Sequence, residues 1–206
     1  MKLATIIAIA AFAFAGTASA QFNRIGDQGS AALSYVQVNA PNTSSWQGAD
    51  LTAMIPLSPA TESLKFNLDA QTQLIQTHSG DSPDQNVGIV GVGLTAWSKF
   101  AYNEVGLTPY FRGGVQGNSG NFAAVNRHYT AYNVEPGLVV SFGSFYGLAA
   151  YQYGEGFNSD LGSVINMPKV GLGVNLTKSL ALEARYEMNQ GSYNFNRTVA
   201  GVTWKF

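Results

Sequence analysis

Along most of this chain apolar and polar residues alternate one by one, the period of a β-strand whose two faces meet different surroundings. Leu64, Phe66, Leu68, Ala70 and Leu74 alternate with Lys65, Asn67, Asp69, Gln71 and Gln73. Val170, Leu172, Val174 and Leu176 alternate with Lys169, Gly171, Gly173 and Asn175. Leu180, Leu182, Ala184, Tyr186 and Met188 alternate with Ala181, Glu183, Arg185, Glu187 and Asn189. Tyr132, Val134, Leu138 and Val140 face away from Asn133, Glu135, Gly137 and Val139, with Pro136 interrupting the run. Ala49, Leu51, Ala53, Ile55 and Leu57 form another apolar face opposite Asp50 and Thr52. Ten strands are expected, at about 30–39, 46–57, 63–75, 87–98, 106–116, 129–142, 145–153, 167–177, 179–189 and 193–206. No helical period is sustained, so alternating helix–strand units are excluded.

The connections fall into two classes. Pro56 to Thr61, Phe100 to Val105, Gly143-Ser144 and Thr177 to Ser179 are short. Asn39 to Ser45, Gln76 to Asn86, Gly117 to His128 and Gly154 to Asn166 are longer and polar, and Gln190 to Ser192 is the short exception among them. Tight turns at one end and long loops at the other are how up-and-down membrane barrels are organised.

The first twenty residues stand apart. Lys2 precedes an apolar stretch from Leu3 to Ala15, and Ala18-Ser19-Ala20 reads as a cleavage site, so residues 1–20 are expected to be a secretory signal peptide. Residues 21–206 are then one barrel domain of 186 residues, which is 206 less the 20 removed. The exported chain has no Cys, so no disulfide framework holds it. Loss of Lys2 leaves ten Lys and Arg against twelve Asp and Glu, with no polybasic footprint for nucleic acid.

Composition decides between solvents. Charged residues make up 11% of the chain, less than half the usual share of about 25%, while Gly numbers 23 and aromatics reach 12%. A soluble sandwich also alternates, but it turns its charges to water and packs its apolar faces on each other. Here Lys65, Asp69, Glu135, Lys169, Glu183, Arg185 and Glu187 fall on the polar face of their strands, with Arg112 and Arg197 on the equivalent face. Acids and bases are closely matched, as a sealed charged interior requires. Trp204 and Phe206 share the apolar face with Ala200 and Val202, where they fit an interfacial girdle, and Trp46, Trp97, Phe142, Phe145, Tyr151, Tyr153 and Tyr193 cluster near other strand ends. A membrane-spanning strand takes about 9–11 residues, so ten strands fit the chain and eight would also fit. The expectation is an all-β, antiparallel, up-and-down transmembrane β-barrel of ten strands, with lipid outside and the nine charged residues inside.

Several stretches resemble a known family. Leu107-Thr108-Pro109-Tyr110-Phe111-Arg112-Gly113-Gly114-Val115 is similar to the "PY-x-x-G" strand of the small outer-membrane β-barrel proteins of Gram-negative bacteria, the porin-family and OmpA-transmembrane-domain type. Arg112 beside the glycines is an addition that motif does not require. Val170 to Leu176, Leu180 to Tyr186 and the closing Gly201-Val202-Thr203-Trp204-Lys205-Phe206 fit the same pattern. The resemblance implies an integral outer-membrane location and contact with outer-membrane lipid. It also implies that Phe206 belongs to the signal read by the barrel-insertion machinery. The family holds structural barrels, narrow channels, adhesins and a few enzymes, so it implies an architecture more than an activity.

Other chemical motifs carry less. Gly91-Val92-Gly93-Leu94-Thr95-Ala96 fits a dinucleotide fingerprint, but no helix follows it and no acid lies about 20 residues on. Glycines making room for bulky interior neighbours explain it better. His78, Ser79, Asp81, Asp84 and His128 read as loop residues rather than a rim hydrolase, and two acids are few for a Ca²⁺ site. No catalytic residue, metal or cofactor is assigned. The leading expectation is a structural or interaction barrel with a charged, plugged lumen and polar surface loops whose ligand the sequence does not name. A narrow passive channel for small solutes is the alternative, a rim hydrolase ranks below it, and a soluble sandwich last. Mass spectrometry of the exported protein should find Gln21 as its N-terminus; retention of residues 1–20 would mean an anchor instead.

Overall fold

The computed structural model describes residues 25–39, 45–59, 61–79, 82–122, 125–126, 129–157, 163–190 and 194–206. The expected leader lies outside them. The strands are β1 (Ser30–Asn39), β2 (Trp46–Pro56), β3 (Lys65–Ser79), β4 (Ser82–Trp97), β5 (Phe100–Tyr102), β6 (Val105–Phe122), β7 (Val125–Asn126), β8 (Tyr129–Phe142), β9 (Phe145–Gly156), β10 (Ser163–Asn175), β11 (Leu180–Gln190) and β12 (Asn194–Lys205). The short β5 and β7 are additions that each pair with β6. The other ten form one antiparallel sheet in which sequence neighbours are also spatial neighbours. The sheet closes on itself: β4 pairs with β6, and β1 pairs with β12 from Ser30↔Lys205 to Asn39↔Asn196. The barrel therefore has ten strands, not the alternative eight.

All ten expected strands are present, but those at the long-loop end run further. The expected connections Gln76 to Asn86 and Gly117 to His128 are largely strand, because β3 and β4 continue as a hairpin to Ser79↔Ser82 and β6 reaches Phe122. Gln76 to Asn86 and Gly117 to Asn121 carry no apolar side chain apart from one proline in the sequence, so no alternation marks a strand there. The backbone of His78, Ser79 and Asp84 lies in that hairpin; Asp81, His128 and Tyr193 lie outside the described residues. Pro136 sits inside β8, and its missing N–H leaves a gap in the ladder to β9 between Val134↔Tyr153 and Gly137↔Ala150.

The two faces have the polarity the alternation demanded. Leu68, Leu172 and Leu182 are exposed on the outside, Leu172 by 73%, while Asp69 and Glu187 point inward at 2% and 0%. Leu33, Val90, Val92, Leu94, Phe111, Val170 and Val202 extend the outer apolar band around the wall. A monomeric soluble protein rarely shows apolar patches beyond a few hundred Å², so this surface is made for hydrocarbon. Ten residues rising about 3.3 Å each at a tilt of about 40° cover roughly 25 Å, the height of an outer apolar band. Exposed aromatics mark its lower edge at Phe100, Tyr102, Phe142, Phe145, Trp204 and Phe206, and its upper edge at Tyr35, Tyr132, Tyr151 and Phe157.

Trp46 and Trp97 do not join these girdles. Both are 2% exposed and lie inside the barrel. Parity explains the correction: Trp46 shares a face with Asp50, and Trp97 with Thr95, so each points to the lumen. The interior is accordingly not polar throughout. Trp97, Tyr110, Val139, Tyr146, Leu148 and Ala181 form an apolar layer at the short-turn end. Val36, Val38, Trp46, Ile75, Val87 and Val199 form another towards the long loops, joined there by Ala131, Ile165 and Met167.

Inward-facing glycines make these layers possible. A Cβ on Gly173 would lie 2.2 Å from the Tyr146 ring, and one on Gly137 would lie 2.3 Å from the Tyr110 ring. On Gly93 it would meet Arg112 at 2.7 Å and Asp69 at 2.9 Å. The Gly91–Gly93 pair thus serves packing, not a nucleotide. Gly173→Ala should cost about 1–3 kcal/mol through overpacking. Gly113→Ala, where a Cβ meets nothing within 4 Å, should leave the midpoint of urea unfolding in detergent unchanged. Equal midpoints for the two variants would contradict this packing.

Candidate functional site

Most of the charged residues of the lumen gather in one layer between the two apolar ones. Strand register places them there. Arg112 on β6 is directly opposite Glu135 on β8, Lys169 on β10 is opposite Glu187 on β11, and Glu187 is in turn opposite Arg197 on β12. Directly opposed side chains on one face of an antiparallel pair are within contact reach, and Glu187 and Arg197 pair in this way, while Arg112 and Lys169 reach past their opposite residues to Asp69 and Glu135.

The side chains form a circuit of three bonded groups around the lumen, with Arg112 and Glu135, and Lys169 and Glu187, close enough to attract between groups. Arg112 Nε donates to Asp69 Oδ1 at 2.7 Å and its Nη1 donates to Asn133 Oδ1 at 2.7 Å. Thr95 donates to the other Asp69 oxygen at 3.0 Å. Glu135 accepts from the Tyr110 hydroxyl at 2.7 Å and from Lys169 Nζ at 2.6 Å. Glu187 is held by Arg185 on one oxygen and by Arg197 on the other. Arg197 Nη1 then donates to Gln73 Oε1 at 3.0 Å, reaching from β12 to β3 across the inner wall of β1 and β2. Gln73 shares β3 with Asp69, which brings the circuit back to its first strand.

Burial and charge balance decide what this circuit can do. Asp50, Asp69, Glu135 and Glu187 oppose Arg112, Lys169, Arg185 and Arg197, four acids and four bases, all buried. Glu135 and Glu187 have no exposed surface at all. A carboxylate lining a water-filled path would show surface to water; these show none. An unpaired charge at such depth costs several kcal/mol, so matched numbers are a condition of filling the lumen this way. A barrel of about eight strands is just filled by its side chains, and here ten strands send long Arg, Lys, Glu, Trp and Tyr side chains inward.

Seven of the nine residues singled out from sequence belong to this layer: Asp69, Arg112, Glu135, Lys169, Arg185, Glu187 and Arg197. The other two lie nearer the short-turn end. Lys65 pairs with Asp27 and stands 5.0 Å from the centre of the Trp97 ring. Glu183 accepts from the hydroxyls of Tyr146 at 3.0 Å and Thr203 at 2.9 Å. Trp204 and Phe206 are exposed on the outer face at the lower edge. Sequence reasoning passed over Asp50, Gln73, Tyr110 and Asn133. Asp50 was legible as the partner face of Leu51 and Ala53. Tyr110 was hidden because an aromatic fits either face.

The segment before β1 folds against the short-turn mouth. Ile25 packs on the Trp97–Tyr146 layer, Gly26 accepts from Asn67 Nδ2 at 3.3 Å, and Asp27 pairs with Lys65. The Phe206 amide donates to the Gly29 carbonyl at 2.9 Å, tying this segment to the chain's end.

Arg112→Ala would leave Asp69 buried beside only the Thr95 hydroxyl. It should cost about 3–5 kcal/mol in urea unfolding of the refolded barrel. Adding Asp69→Ala should recover a large part of that loss, and a double variant as unstable as the single one would contradict the pairing.

No protein-family model matches the sequence, and no curated protein matches it. Solved structures do match in shape. The chain is similar to the β domain of the Bordetella autotransporter BrkA, at 14% identity and a TM-score of 0.51, with 87% of this chain and 100% of that chain covered. It is also similar to the Neisserial surface protein A, NspA (14% identity, TM-score 0.43, 86% and 96% covered), and to the outer membrane phospholipase A from Escherichia coli (13%, 0.42, 85% and 89%). At such identities the likeness is one of fold. The likeness to the BrkA β domain, together with the closed sheet and its apolar exterior, gives the chain the fold of the bacterial outer-membrane β-barrels.

Proposed function

We propose that the chain is an integral protein of the bacterial outer membrane with a structural and surface-interaction role, and that its lumen is closed to solutes and performs no catalysis. In this reading the short turns face the periplasm and the long loops face outward. The observation that carries it is the complete burial of Glu135 and Glu187 at mid-lumen, inside a circuit that reaches Arg112, Lys169, Arg197 and Gln73. The apolar layers above and below support it, since each closes the bore again with packed side chains. With the bore filled, the surface left for recognition is the long-loop end. There the β3–β4 hairpin and the end of β6 extend the wall beyond the apolar band. The barrel supplies a rigid stand for such elements, and loops on rigid scaffolds are where binding residues concentrate.

Planar-bilayer recording tests the reading. The native protein should give no stepwise conductance above background. The paired variant Arg112→Ala with Asp69→Ala keeps the interior neutral while removing two side chains from the circuit, and it should show discrete steps. Stepwise conductance from the native protein would favour the narrow channel instead.

A further inference from the structure

Below the Trp97–Tyr146 layer, at the short-turn end, the barrel holds a cavity of about 370 Å³. That is within the size range of small-molecule sites, roughly 300–1,000 Å³. Trp97 and Tyr146 close its floor, the Thr108 hydroxyl lies on its wall, and the strap formed by residues 25–28 makes one side. Lys99 and Lys205 stand on its rim.

Charge pairing sets these two lysines apart. Elsewhere among the described residues, each lumen cation is held by a carboxylate: Lys65 by Asp27, Arg112 by Asp69, Lys169 by Glu135, and Arg185 and Arg197 by Glu187. Among the described residues Lys99 and Lys205 form no such ion pair. Lys205 Nζ reaches the Asn175 amide oxygen at 3.3 Å, and it lies within electrostatic range of both Glu183 and Lys99. Glu183 accepts from the Tyr146 and Thr203 hydroxyls, which leave its charge in place to offset that of Lys205, and the one acid lining the cavity, Asp27, is paired with Lys65. Lys99 and Lys205 therefore line one pocket with Trp97 and Tyr146, and with Glu183 offsetting one of them a single positive charge is left in excess. A small anion in the pocket would balance that excess charge.

We propose that this cavity binds a small organic carboxylate, its charged group between Lys99 and Lys205 and its apolar body against the floor made by Trp97 and Tyr146. The Thr108 hydroxyl supplies a further donor. The site is independent of the closed lumen above it, and it faces the compartment on the short-turn side.

The test uses the refolded full chain in an uncharged detergent, with benzoate as probe and the indole N–H resonance of Trp97 as readout. Benzoate should shift that resonance saturably, and its neutral analogue benzamide should bind at least about tenfold more weakly. Lys99→Gln and Lys205→Gln should each weaken benzoate about tenfold, and raised salt should weaken it further. Lys178→Gln, in the turn outside the cavity, should change nothing. Equal binding of benzamide, unchanged affinity in both lysine variants, or no saturable shift would overturn the proposal. Inorganic phosphate binding as tightly as benzoate would overturn the role of the apolar floor. If Lys205→Gln does not fold, Lys99→Gln, at an exposed position between β4 and β5, carries the test alone.

Discussion

Hydrocarbon offers no hydrogen bonds, so a sheet that lies in it must leave no backbone edge. That constraint accounts for most of what this chain does. The first strand meets the last, β4 meets β6, and every barrel strand has a neighbour on each side. Once the sheet is a cylinder, its two faces are sorted by topology alone. One face has only lipid to touch, and the other has only itself.

The second face sets the harder problem. A ten-stranded bore is too wide to be filled by aliphatic side chains from its wall, and too narrow to be left as a wide aqueous pore. The inward side chains of this chain fall into three storeys. The middle storey is ionic and neutral in sum. The outer two are apolar, carrying indole, phenol and aliphatic groups into space that glycines on neighbouring strands leave free. The apolar storeys keep water from the ion pairs, which strengthens their attraction. The ion pairs satisfy one another and hold the long side chains in fixed positions.

Much of this could be read from the sequence because the strand period is rigid. One charged residue in a run fixes the facing of its whole strand, which is why Glu183, Arg185 and Glu187 oriented β11 and Asp69 oriented β3. The same logic identified the interior set without any coordinates. What it could not supply was height. Lys65 and Glu183 share the inward face with the circuit but lie nearer the turns, and only register separates them from Asp69 and Glu187. Aromatic residues misled for a related reason: Trp46 and Trp97 lie near strand ends, where both a girdle and a lumen storey accept an indole, and parity alone decides. The extensions of β3, β4 and β6 were read as loops because in water on both sides nothing sorts the two faces.

The contact between Arg197 and Gln73 has a consequence for assembly. Its partners lie 124 residues apart, on strands that come near each other only when the first and last strands have joined. Until that moment the guanidinium has no Gln73 to complete the loop of contacts, and a half-rolled sheet would offer ionised side chains to the bilayer interior. Rolling up and sealing are therefore one cooperative event. An intermediate that is inserted but still open carries a heavy electrostatic penalty, and the finished wall gives its interior charges no route to unbind one at a time.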